Sequence, residues 1–198
     1  MPMLIKEKNA LTVLLPRIAA IAQEKGRAII AIDGMAASGK STLAQALMRA
    51  LDRAHLVHMD DFFLPEAIRT HVRDRLLANA DVERFDAEVL APLCAGQGVR
   101  YRPFVCHPRP RLLDPVAIPA DVRIVIVEGA YCLHPLLAAR YDLRILMTIG
   151  ASTQRARILA RNGEAMLARF ENEWIPLENR HIRTRGLSAL CDVRIHTP

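Results

Sequence analysis

Two glycines, a lysine and a serine at fixed spacing, in Gly34-Met35-Ala36-Ala37-Ser38-Gly39-Lys40-Ser41, are the residue types a chain needs to hold a polyphosphate. The glycines let the backbone curl so that successive N–H groups point inward at phosphate oxygens. The start of a helix adds partial positive charge at the same spot. Lys40 can reach the terminal phosphates, and the Ser41 hydroxyl is a candidate Mg²⁺ ligand. The nucleotide-binding surface expected from this segment comprises Gly34, Ala36, Ala37, Ser38, Gly39, Lys40, Ser41 and Thr42.

Carboxylates follow at two later points. His58-Met59-Asp60-Asp61-Phe62-Phe63-Leu64-Pro65 supplies an adjacent pair, and Arg123-Ile124-Val125-Ile126-Val127-Glu128-Gly129 delivers a single one at the end of an apolar run. Phosphoryl transfer to an alcohol needs a phosphate cradle, a metal, a carboxylate to take the hydroxyl proton, and positive charge for the transferring group. A candidate for each part is present. Glu128 is a candidate to hold Mg²⁺ directly or through water. One of Asp60 and Asp61 can face the phosphates while the other caps a helix starting near Pro65. Gly129 and Ala130 follow Glu128, where a motor ATPase commonly carries a second acid, and this weakens a water-activating reading.

These groups work only if the chain brings them together. Short apolar runs at Ala28–Asp33, His55–Met59, Ile124–Glu128, Leu143–Ile149 and Asp192–His196 alternate with helical patterns, such as Leu43, Leu47 and Leu51 after the phosphate loop. That alternation predicts a mostly parallel sheet of five strands covered on both faces, with ligands at the C-terminal strand ends. The whole chain, 1–198, is expected to form one domain. Leu11, Leu14, Leu15, Ile18 and Ile21 predict an added N-terminal helix within 1–26, spanning Leu4 to Glu24 and bent or started near Pro16. The Pro-rich stretch 99–120 predicts a hairpin or extended flap. The Arg-rich stretch 153–170 predicts either a mobile lid or a solvated helix face.

Composition narrows the class. With 52% hydrophobic and 24% charged residues, the chain can fold around a sizeable core and is not disordered. No apolar stretch has the length of a membrane span, and charges at Lys6, Glu7 and Lys8 interrupt any signal-peptide core, so a cytoplasmic location is expected. The net charge of +6 is spread over arginines along the chain, among them Arg17, Arg49 and Arg73. An anionic small substrate accounts for such a field, and without a basic-aromatic recognition motif neither nucleic acid nor membrane is expected as a partner. Cys94, Cys106, Cys132 and Cys191 are too scattered to suggest a zinc site or a disulfide framework.

With the phosphate loop, Asp60-Asp61-Phe62-Phe63 and Val127-Glu128-Gly129 in this order, the chain resembles the uridine kinase and phosphoribulokinase family of P-loop kinases. Its local words are closest to uridine and nicotinamide riboside kinases. The likeness runs from about Ile29 to Arg183 and includes Arg84-Phe85-Asp86, Phe104-Val105-Cys106-His107-Pro108-Arg109 and Trp174-Ile175-Pro176-Leu177-Glu178. It implies a P-loop NTPase fold, a three-layer α/β/α sandwich with flap and lid, that uses ATP and Mg²⁺ to phosphorylate the 5′-hydroxyl of a nucleoside. By the same likeness Asp60 accepts the acceptor's proton, Asp86 meets the ribose hydroxyls, and His107 and Arg109 lie on the flap over the nucleoside. Tyr101 stacks on or bonds to the base, and Arg157 and Arg161 are lid arginines. Departures from the family pattern are the short lid continuation Asn162-Gly163-Glu164-Ala165-Met166, Tyr101-Arg102-Pro103-Phe104 in the flap, and Asp33 before the loop. A kinase for pantothenate or a sugar phosphate, or a nucleotide-driven switch or ATPase, are the alternative readings, and a homo-oligomer is compatible with all of them.

Overall fold

The computed structural model describes residues 1–65, 79–105 and 109–198. Six strands form its central sheet: β1 (Met3–Lys6), β2 (Ala28–Gly34), β3 (Ala54–His58), and, beyond four short flap strands, β8 (Ile124–Glu128), β9 (Leu143–Ile149) and β10 (Val193–Thr197). Their spatial order is β1-β10-β9-β2-β8-β3, and every neighbouring pair is parallel. Ile32 on β2 and His58 on β3 both pair with Glu128 on β8, so the loops that follow these strands open on one edge.

The sheet alternation sends side chains to two cores. Ala28, Ile30 and Ile32 pack with helix α1 (Ala10–Lys25) and helix α2 (Lys40–Ala50) through Leu14, Ile18, Leu43 and Leu47. Ile29, Ala31, Val125 and Val127 face the other way, onto Phe62, Phe85, Leu90 and Leu133. Helices α3 (Ala151–Arg169) and α4 (Ile175–Thr184) complete the covering layers. Burying one Leu or Ile side chain contributes roughly 2 kcal/mol, so two continuous cores of this kind dominate the stability. The three-layer α/β/α arrangement expected from the strand and helix alternation is found.

The N-terminus differs from its expected form. The helix starts at Ala10, with Ala10, Leu14, Ile18 and Ala22 buried at four-residue intervals, and it runs through Pro16. Ahead of it Met3–Lys6 is a strand rather than the first turn of that helix, pairing Ile5 with Ile195 and making the sheet six-stranded instead of five. Four residues with one buried side chain carry too little periodicity to read. Their backbone groups gain ladder partners on β10, a cause invisible in the local sequence.

The flap is a two-tier antiparallel ladder. β4 (Val99–Tyr101) pairs with β7 (Val116–Ile118), and β5 (Phe104–Val105) with β6 (Arg111–Leu112). A bridge from Phe104 to Phe62 ties it to the segment carrying Asp60 and Asp61. In the lid region, α3 breaks at Gly163, where φ is +78°, and a π-helical stretch at Phe170–Trp174 carries the chain on into α4. Among the described residues no helix is long and apolar enough to cross a membrane.

Candidate active site

β2 ends on Asp33 and Gly34, and the chain must turn at once because β9 crowds it. A methyl group on Gly34 would lie 1.9 Å from the Met147 carbonyl oxygen, so only glycine fits at this φ of +143°. The turn is fastened from several sides. Asp33 accepts from the Gly34 N–H at 2.6 Å and the Leu133 N–H at 2.8 Å, and Met35 N–H donates to Met147 O at 3.0 Å. Ala36 is held at both ends, its N–H by Glu178 Oε2 at 2.7 Å and its carbonyl by Gln154 Nε2 at 2.9 Å. Arg157 Nη1 donates to Ala37 O at 3.1 Å.

The Gly34 and Ala36 amides are therefore engaged within the protein. Those of Lys40, Ser41 and Thr42 open α2, which has no side-chain cap, and the start of a helix leaves such amides to donate to a ligand. Lys40 is buried, and its Nζ donates to Gly34 O and Met35 O, each at 2.8 Å.

A cleft of about 650 Å³ lies over this loop. It is lined by Ala36, Ala37, Gly39, Lys40, Ser41 and Thr42 below, by Asp60, Phe63, Asn79 and Glu128 through Tyr131 on one side, and by Arg157, Arg161, Phe170, Trp174 and Glu178 above; Glu7 completes the wall. Ser41 Oγ stands 3.1 Å from both carboxylate oxygens of Glu128. His58 Nδ1 lies 2.7 Å from Glu128 Oε1, and this bond raises the His58 pKa above its ordinary value. Gly129 permits the approach of the neighbouring acidic segment, since a methyl group there would fall 2.8 Å from Met59 Cβ.

A hydroxyl and a carboxylate converging beside phosphate-directed amides form a hard oxygen donor set. Mg²⁺ takes one or two carboxylates and leaves its other positions to water and phosphate, so Ser41 and Glu128 fit that ion.

The adjacent aspartates part company. Asp60 is open to the cleft, but the protein around it and the nearby Glu128 push its carboxyl above the usual range, against the pull of Lys40. Asp61 accepts from the Tyr101 hydroxyl at 3.1 Å. Burial raises the Tyr101 phenol, with Asp61 adding to the rise.

Of the residues expected at the site, the cleft gathers Ala36, Ala37, Gly39, Lys40, Ser41, Thr42, Asp60, Glu128, Arg157 and Arg161. Its lining leaves out Gly34 and Ser38 of the loop, and Asp86, Tyr101 and Arg109 beyond it. Asp86 is gripped by the Arg140 guanidinium through bonds of 2.9 and 2.8 Å. Tyr101 is buried against Phe62 and faces a second hollow with Arg84, Arg100 and Arg102, while Arg109 is exposed in the flap. His107 lies outside the described residues.

Sequence reasoning passed over Glu178, Gln154, Trp174, Phe170 and Glu7. Trp174 and Glu178 sit within the Trp174–Glu178 word already noted, which was the available signal. Gln154 and Glu7 had none.

No family model matches the chain. The nicotinamide riboside kinase of Eremothecium gossypii is 28% identical over 184 residues, covering 74% of this chain and 68% of that protein. The uridine kinase of Chloroflexus aurantiacus is 26% identical over 146 residues, covering 68% and 67%. A solved structure from Bacillus stearothermophilus, described as a possible uridine kinase, superposes with a TM-score of 0.65 at 19% identity, over 92% of this chain and 98% of that one. The resemblance carried by the ordered motifs thus recurs in whole-chain similarity, and the fold is that of P-loop kinases.

Proposed function

We propose that this chain, which resembles the uridine kinase and phosphoribulokinase family of P-loop kinases, transfers the γ-phosphate of ATP to a primary hydroxyl of a small molecule, the 5′-hydroxyl of a nucleoside being the favoured acceptor. The observation that carries this reading is that Asp60 and Lys40 line one cleft together with Ser41 and Glu128, close enough for Lys40 and Glu128 to act on the Asp60 carboxyl. A phosphate loop alone would suit a switch or an ATPase. A second carboxylate in the cleft, separate from the metal-directed Glu128, suits an alcohol that must lose a proton.

In the proposed reaction the acceptor oxygen attacks the γ-phosphorus while its proton passes to an Asp60 carboxylate oxygen. The bond from the γ-phosphorus to the β,γ-bridging oxygen breaks, and ADP departs with the electron pair. Lys40 and the amides of Lys40, Ser41 and Thr42 hold the phosphates. Arg157 and Arg161 bring positive charge from above, and the wall of Phe170, Trp174 and Phe63 excludes water. Mg²⁺ held by Ser41 and Glu128 would neutralise phosphate charge.

Names of the relatives support a nucleoside acceptor, since one is a nicotinamide riboside kinase and another a uridine kinase. The soluble composition and the lack of a membrane-length helix among the described residues agree with a cytoplasmic enzyme. The test is a panel of nucleosides including uridine and nicotinamide riboside, with pantothenate and sugar phosphates, assayed for ADP release with ATP and Mg²⁺. Release that depends on a nucleoside and yields its 5′-phosphate is expected. Release at the same rate without any acceptor would replace the kinase reading with an ATPase or switch.

A further inference from the structure

The N-terminal strand does more than extend the sheet. β1 runs parallel to β10 with Lys6 opposite His196, so the next residue, Glu7, emerges beside Thr197 at the edge of the sheet where the cleft opens. Thr197 Oγ1 donates to Glu7 Oε2 at 2.8 Å and fixes the carboxylate. Its other oxygen, Oε1, points toward the phosphate loop. A methyl group built on Gly39 would stand 3.4 Å from it and 4.0 Å from Arg157 Nη1. Glu7 is exposed and lines the same cleft as Lys40, Ser41 and Thr42.

The cleft has a direction. Asp60 and Glu128 mark the end where the transferred phosphate must lie, and Lys40 and Ser41 serve the outer phosphates. Glu7 stands by Gly39 and Arg157 rather than by that carboxylate pair, so a nucleoside half that leaves the loop away from the transferred phosphate passes Glu7. A carboxylate is a poor neighbour for phosphate, because like charges repel. It is a good neighbour for neutral hydrogen-bond donors, which a nucleoside offers as ribose hydroxyls or an exocyclic amine.

We infer that Glu7, delivered by the added N-terminal strand, is a specificity-determining residue for the phosphate donor, accepting a hydrogen bond from its nucleoside half through Oε1. This rests on the assignment of the phosphate loop to the donor made under Proposed function.

The experiment compares the binding of ATP and of inorganic tripolyphosphate, both with Mg²⁺, to the wild-type chain and to Glu7→Ala by calorimetry. Removing the charge alone tightens both anions alike, whereas losing the hydrogen bond weakens ATP only. The ratio of ATP to tripolyphosphate affinity is expected to fall about tenfold. Glu7→Gln keeps an oxygen for Thr197 while offering the cleft a donating amide, and should shift the ratio the same way; it also serves if Glu7→Ala fails to fold. With 2′-deoxyATP or inosine triphosphate in place of ATP, loss of the Glu7→Ala effect identifies the ribose hydroxyl or the amine as the bonded group. An unchanged ratio in variants that still bind tripolyphosphate overturns the role of Glu7 and leaves the phosphate loop standing. Failure of the wild-type chain to bind either ligand overturns both.

Discussion

Lys40 Nζ donates to two carbonyls of its own loop, so engaging a phosphate exchanges those contacts for charge-assisted ones. Lys40→Ala is expected to lower turnover by roughly two to four orders of magnitude with the fold retained, checked by steady-state rates alongside circular dichroism. Asp60→Asn should remove most phosphoryl transfer and preserve ATP binding, because Asp60 faces the cleft while Asp61 is tied to Tyr101. Asp61→Asn should be milder. The reverse order would move the proton acceptor to Asp61. Since Asp60 must be ionised to accept a proton and its carboxyl is held above the ordinary range, kcat/KM should rise with pH through a value higher than that of a free aspartate. That limb should be missing from the residual activity of Asp60→Asn.

Between elements, the informative contacts join segments distant in sequence. Arg140 grips Asp86 with both carboxylate oxygens engaged, which favours a structural duty over a ribose contact. Asp86→Ala should therefore cost about 1 kcal/mol of stability, the scale of a half-exposed ion pair, and leave the acceptor KM unchanged. A tenfold rise in acceptor KM would restore the ribose role implied by the family resemblance. Asp192, ahead of β10, accepts from the Arg144 guanidinium at 2.8 and 3.0 Å and from the Arg144 N–H at 2.9 Å. Burial pushes its carboxyl up, but these bonds together with Arg17 outweigh that and hold it below its usual value. A depressed folded pKa stabilises above the unfolded value and loses that contribution as pH falls through the folded one. Melting temperature should thus drop below about pH 4, and Asp192→Asn should start lower at neutral pH but fall less steeply in acid.

At the scale of the molecule, donor binding should stabilise the folded chain. ATP with Mg²⁺ at about 100 times its Kd contributes about 2.7 kcal/mol, or roughly 5–10 °C in melting temperature for a chain of this size, and Lys40→Ala should lose most of that shift in a thermal melt. Much of this architecture was legible in the sequence, because apolar runs such as Ile124–Glu128 and Leu143–Ile149 mark buried strands directly and a strand-loop-helix phosphate cradle is a local pattern. Less legible was whatever depends on distant partners. β1 exists because β10 offers it a ladder, Glu178 reaches Ala36 from 142 residues away, and Asp86 turns to Arg140 rather than to the cleft.

The pairing of β1 with β10 also bears on how the chain reaches its native state. Met3 must find Val193, and among the described residues no other strand borders β1. Closing so long a loop delays the contact, and a chain emerging from its N-terminus holds this first strand unpaired until the last one appears. The central strands β2, β8 and β9 can assemble earlier, carrying the phosphate loop with them. Glu7 is fixed only when the sheet's far edge closes, so refolding should recover tripolyphosphate binding before it recovers preference for a nucleotide, a lag that stopped-flow competition between the two ligands can time.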